Sequence, residues 1–122
     1  MNLVTVGVWS LEIVVALAFL MAGAMKAFQP AKAKERMAWA REMSDARVRA
    51  IGVVELLGAL GLVLPRATGI LPWLTPLAAI GLALTMLGAI GLHVKRRDGA
   101  QVVPSVVLLA LCVTVAVGTL AA

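Results

Sequence analysis

Four apolar runs, set apart by short polar gaps, constrain this chain more than anything else in it. They cover 3–27, 45–64, 70–92 and 102–120. A helix rises about 1.5 Å per residue, so roughly 20 apolar residues cross about 30 Å of hydrocarbon. All four runs reach that length, the second only just. Composition agrees: 62% of the 122 residues are hydrophobic and 14% are charged, where a soluble domain carries roughly 25% charged residues. With a mean hydropathy of +1.03, the chain lacks the polar surface to cover itself in water. The expected fold class is all-α, a four-transmembrane-helix bundle forming a single integral membrane domain over 1–122. Its first partner is the lipid bilayer. The first run ends in small residues, "LMAGAMKA", as a cleaved signal peptide does. However, no Lys or Arg precedes it and Glu12 interrupts its start, so a permanent helix is expected.

The basic residues test the span count. Of the 11 Lys and Arg, seven (Lys26, Lys32, Lys34, Arg36, Arg41, Arg47, Arg49) fall between the first two runs. Three more (Lys95, Arg96, Arg97) fall between the last two, and Arg66 alone lies between the second and third. Four spans put both rich loops on one side, and the positive-inside rule then predicts cytoplasmic loops with both termini outside. The net charge of +5 therefore flanks a membrane and does not form a phosphate-binding face, so no nucleic-acid partner is expected. A single cysteine, Cys112, excludes an intrachain disulfide and any CxxC pair; in mid-span it reads as a small packing residue.

Local signals refine the spans. Ser44 is a plausible N-cap for the second. Pro65 is expected to close that span, with "PRATG" as a tight turn. Pro72 and Pro76 fall in the first turns of the third span and Pro104 in the first turn of the fourth, where proline is best tolerated. In the loop "PAKAKERMAWAREMSD", Ala33, Met37 and Ala40 recur at helical spacing, as do Trp39 and Met43. The pattern predicts a short amphipathic helix lying in the headgroup layer as a membrane anchor. Trp9 and Trp73 are expected in the outer aromatic belt. Small residues predict close helix packing: Gly81, Thr85 and Ala89 at every fourth position of the third span, a series that continues to His93, with Gly52, Gly58, Ala59 and Gly61 on the second and Ala16, Ala22, Gly23 and Ala27 on the first.

Four ionisable residues remain inside or at the edge of the spans: Glu12, Lys26, Glu55 and His93. Such residues are expensive in a bilayer and are candidate ligand-binding or proton-relay groups. Positions 12, 16, 19, 23 and 26 share one helix face. Glu12 and Lys26 are nonetheless about 21 Å apart along it. Lys26 and His93 lie at the cytoplasmic end and Glu55 about 9 Å above Arg49, so these three are expected to converge in the inner half. Glu12 is expected alone in the outer half. Structural roles compete: a Lys–Glu pair locks helix register, Lys26 snorkels, and a lone His93 packs at the interface. No second His or Cys makes a metal site with it.

"FLMAGAMKAFQP", the stretch from "RAIGVVELLGALGLVLP" through "GLHVKRRDG", and the last apolar run together resemble the DoxX-like family of small bacterial membrane proteins. Gly23-x-x-Lys26, Glu55-x-x-Gly58 and the histidine after the third span carry the resemblance. It implies a bacterial cytoplasmic (inner) membrane protein of unassigned biochemistry. The family name resembles that of subunits of an archaeal thiosulfate:quinone oxidoreductase, and some members are linked to thiol and oxidative-stress handling. Distant eukaryotic relatives act as membrane chaperones. The chain departs from the pattern where an Asn is expected near the start of the last span, which has Pro104–Ser105. It departs again after Gly118, where "TLAA" replaces a basic residue. No ligand contact on the fourth span is therefore carried over.

Three functions are open on these grounds. The first is a redox-accessory or hydrophobic-ligand subunit, with a quinone-type cofactor held by Lys26, Glu55 and His93 and a membrane redox partner. The second is a non-enzymatic assembly factor, motivated by the small-residue stripe and the basic loop. The third is a proton-coupled small exporter using Glu12 within "WSLEIVVALAF". No hydrolase triad, P-loop or haem-ligand pair occurs, so an enzymatic activity of its own is not expected. Thin helices bury little surface, which favours a homodimer.

Overall fold

Helix caps set the limits of the long elements. In the computed structural model, which describes residues 2–121, the Thr5 N–H donates to the Asn2 side chain at 2.8 Å and starts α1, Leu3–Phe28. The Arg47 N–H likewise donates to Ser44 Oγ at the head of α3, Asp45–Thr68, with Asp45 in the favourable first turn. Between them lie α2, Pro30–Arg36, and a 3-10 helix, Ala38–Glu42. Then follow α4, Leu74–Lys95, and α5, Gly99–Ala121. There is no strand among the described residues. The four helices α1, α3, α4 and α5 are long and apolar enough to cross a membrane, and the protein is a multi-pass, all-α membrane protein.

Three boundaries differ from the sequence expectation. Pro65 does not end the second span: α3 runs on to Thr68 and stops at Gly69, in the left-handed conformation (φ 73°). So close to the C-terminus, proline removes only one helical bond, while Thr68 Oγ1 donates to the Leu64 carbonyl at 2.7 Å. The third span starts at Leu74, since Pro72 belongs to the preceding turn, where the Leu74 N–H reaches the Leu71 carbonyl at 2.9 Å. The fourth starts at Gly99, so Pro104 lies inside α5 and not in its first turn.

The helices alternate in direction, leaving both described termini at one end and the basic loops at the other, here the terminal end and the basic end. Going round the ring, α1 packs on α3, α3 on α4 and α4 on α5, while the α1–α5 seam is the loosest. Val15, Phe19, Leu62, Leu82, Cys112 and Val115 fill the middle of the bundle with essentially no exposure. Large apolar side chains such as Leu57, Leu84 and Val117 face outward, as lipid contact requires.

Small residues of the first two spans pack closely, as expected, while those of the third do so only in part. The tight crossing is between α1 and α3: a Cβ on Gly23 would stand 2.8 Å from the Gly52 carbonyl oxygen, and one on Gly52 would collide with the Ala27 backbone. On α4, by contrast, Gly81 and Gly88 face open space. Packing along the α4 stripe is uneven: Gly81 stands open at the α3–α4 groove, while Ala89 is half-buried against the core.

The loop after α1 is also not one surface helix. It breaks at Met37, whose backbone is extended (φ −121°, ψ 104°). The two short pieces fold under the bundle, and Ala33 and Ala40 have 0% exposure. Their apolar face packs with Trp39 on Val48, Ile51 and Leu92. Burial against protein replaces the expected burial in headgroups, since both remove the same apolar area from water.

Candidate functional site: a cavity at the basic end

The α1–α3 crossing fixes the first pair of polar groups. Gly23 and Gly52 let the backbones touch, and one turn further Lys26 and Glu55 lie side by side. Lys26 Nζ is 2.6 Å from Glu55 Oε1. Both residues are buried, Lys26 at 8% and Glu55 at 1% exposure. Pairing is what makes the carboxylate tolerable there: removing one partner from a buried pair costs about 3–5 kcal/mol.

Trp39 organises the rest. Its ring lies 5.2 Å from Lys26 Nζ, a cation–π distance, and its edge meets His93 with centroids 6.1 Å apart at 75°. His93 is 4% exposed, and its Nδ1 is buried with no hydrogen-bond partner. An unsatisfied buried imidazole nitrogen is costly in a folded protein and calls for an account. His93 is one of the residues lining a cavity of about 670 Å³, together with Lys26, Glu55 and Trp39. That volume falls within the range of small-molecule sites, which span roughly 300–1,000 Å³. Met25, Met37, Met43 and Met86 supply much of the apolar lining. Thioether side chains adapt to varied ligand shapes. Ala89 and Thr85, from the α4 stripe, form the floor between His93 and the core. Their small size leaves space instead of joining helices.

The structure thus brings Lys26, Glu55 and His93 to one cavity and leaves Glu12 out of it. Glu12 is 0% exposed and pairs with Arg66 Nη1, whose guanidinium carbon stacks 4.7 Å from the Trp9 ring. The expectation that Glu12 stands alone is corrected. The continuation of α3 past Pro65 carries Arg66 back onto the bundle and over to α1. Glu12 Oε2 has no partner, yet Glu12 borders neither this cavity nor a shallower groove of about 360 Å³ between α3 and α4. Between the two ion pairs lies the apolar layer of Phe19, Leu62, Leu82 and Cys112.

Trp39 and Arg66 are the residues that sequence reasoning missed. Arg66 carried a signal, as the one basic residue on the acidic partner's side of the membrane. Trp39 carried none beyond helical spacing in a basic loop. Among the described residues, no group of three or more His, Cys, Asp or Glu could hold a metal ion. The DoxX-like family matches residues 10–115. No curated protein and no solved structure matches the chain.

Proposed function

The chain belongs to the DoxX-like family, and on that premise we propose that it binds a hydrophobic small molecule in the basic-end cavity, as a redox-accessory or ligand-carrying membrane subunit. One observation carries this reading: a buried histidine with an unpartnered Nδ1 borders an apolar cavity that also holds a Lys–Glu pair and an indole. Structural polar groups are normally satisfied, and a few polar side chains converging on an apolar cavity of ligand size are what a binding site requires.

A quinone-type molecule fits this donor set. Its carbonyl oxygens accept hydrogen bonds, its ring is apolar, and when bound it supplies a reducible group. The chain's own part is to hold and orient it. Lys26 offers the ammonium hydrogens that Glu55 does not use, His93 offers a ring nitrogen, and the methionines exclude water. By the positive-inside rule the cavity faces the cytoplasmic half of a bacterial inner membrane.

The other two readings draw less from the geometry. The assembly-factor reading rested on the α4 stripe and the amphipathic loop, but the stripe borders the cavity and the loop's apolar face is already packed. The exporter reading needs Glu12 at a passage, whereas Glu12 is fully buried, paired with a half-buried Arg66, and borders neither cavity.

Organic extraction and mass spectrometry of the purified protein tests the proposal, with wild type set beside Glu55→Gln and His93→Ala. The expected result is a stoichiometric isoprenoid compound in wild type, reduced about tenfold or more in both variants. Bulk phospholipid alone in all three proteins would overturn it.

A further inference from the structure

The cavity's walls differ in a way that specifies how a ligand reaches it and what kind of molecule it is. Toward the terminal end it stops at Phe19 and Met86, above which the Leu62, Leu82 and Cys112 layer is closed. Under the basic end lies the segment bearing Met37, Trp39 and Met43, tied down at several points. Lys34 Nζ is 2.5 Å from Asp45 Oδ1 on α3, and Glu42 pairs with Arg96 just beyond α4. Arg41 donates to the Lys34 and Glu35 carbonyls at 2.8 and 2.9 Å.

The remaining wall is the α1–α5 seam. In the terminal half it is shut, since a Cβ on Gly118 would stand 2.9 Å from Val8 Cγ2. In the basic half the cavity runs out to side chains that are themselves exposed: Ala18 on α1 and Pro104 on α5, and nearer the basic end Arg36 and Gln101. The rim is therefore apolar at membrane depth and polar, with a guanidinium and an amide, toward the headgroups. Donors also outnumber acceptors around the cavity. Lys26, Arg36, Trp39 and Gln101 together carry more N–H groups than there are free acceptors, which are the second Glu55 oxygen, the Gln101 amide oxygen, a His93 ring nitrogen and the Thr85 and Ser105 hydroxyl oxygens.

We infer that the ligand is a bilayer-resident amphiphile with an acceptor-rich head, admitted sideways from the lipid between α1 and α5 in the basic half of the membrane. This rests on the reading that the cavity binds a hydrophobic molecule, and adds the class of that molecule and its route. The head takes the Lys26, His93 and Gln101 end, and the tail lies across Ala18 and Leu108 into the acyl region. The loosest helix seam, the small side chain at Ala18 and the polarity of the rim all point to this single passage.

The test uses the full chain in lipid nanodiscs and a fatty acid with a photoreactive diazirine at mid-chain, labelled sites being mapped by mass spectrometry. In wild type, labelling at Met86 and Ala89 should exceed that at outward-facing Leu87. Ala18→Trp and Leu108→Trp, which obstruct the passage from its two sides, should each reduce cavity labelling about tenfold, while Leu84→Trp on the outer face of α4 leaves it unchanged. A second measurement needs only wild type: a short-chain diazirine acid added from water should label the cavity far less than the long-chain probe. Equal labelling by the two probes, or full cavity labelling in both obstructed variants, overturns the sideways route and leaves the binding reading standing. No cavity labelling above the outer-face level overturns the amphiphile assignment. The extraction result for Glu55→Gln then shows separately whether a different ligand is bound.

Discussion

Two ion pairs join the same two helices, one buried and the other half-buried at its arginine, and they sit in unlike surroundings. Lys26–Glu55 and Glu12–Arg66 both link α1 to α3. The first opens onto a cavity, beside an unpartnered histidine and an indole. The second lies beyond the apolar layer, and Glu12 borders neither of the two cavities described. A buried pair is weak evidence of function by itself, since charges in a low-dielectric interior must be paired whatever they do. The difference between these two teaches that surroundings carry the functional argument. The pair with space beside it is the one on which the proposed binding role rests.

The strongest way to break that comparison is to orphan each pair in turn. Arg66→Ala leaves Glu12, which has no exposure, without a partner and is expected to cost about 3–5 kcal/mol. That should appear as a large drop in the detergent melting temperature and in folded yield. Molecules that do fold should retain ligand at the wild-type ratio; loss of ligand there would make Glu12–Arg66 part of the site.

A smaller effect on stability, with a large one on binding, is expected when the cavity pair is replaced as a unit. Lys26→Met with Glu55→Leu exchanges a buried pair for apolar residues of similar size, a change that is often neutral or stabilising. The double variant should melt near wild type and carry little or no ligand on extraction. If it carries ligand as wild type does, Lys26–Glu55 is a register lock and the two pairs are equivalent.

The third expectation separates position from charge. Gly52→Ala places a methyl against the Ala27 backbone and the Lys26 Cβ. Overpacking of this kind costs about 1–3 kcal/mol. It should spread the helices at the crossing, weakening ligand retention with both charges still present. Chemical denaturation together with extraction reads both quantities. The smallest expected change in stability is for Trp39→Phe, which keeps a ring in the apolar cluster under the bundle and weakens a cation–π contact with Lys26 worth about 0.5–2 kcal/mol. It should shorten ligand residence time in a displacement assay more than it lowers the melting temperature.

What was legible in the sequence and what was not divide along physical lines. Span number, helix direction and the depths of Lys26, Glu55 and His93 follow from hydropathy and a constant rise per residue, which are properties of a single helix. The common face of Glu12 and Lys26 follows from its period. The chain alone therefore determined that α1 carries two charges at two depths, and that three polar groups share the basic end. Four matters depend on neighbours. Arg66 reaches Glu12 only because α3 continues through Pro65 and lies against α1. Thr85 and Ala89 of the α4 stripe border a cavity because Gly23 and Gly52 draw α1 and α3 together while the α1–α5 seam stays loose. Trp39 becomes the hub because the loop breaks at Met37 and folds under the bundle. His93 Nδ1 lacks a partner because the atoms packed against it offer none, while the residue as a whole lines a cavity that several elements enclose. A sequence prescribes how far along a helix each side chain stands; only packing decides which way it faces and whether anything fills the room in front of it.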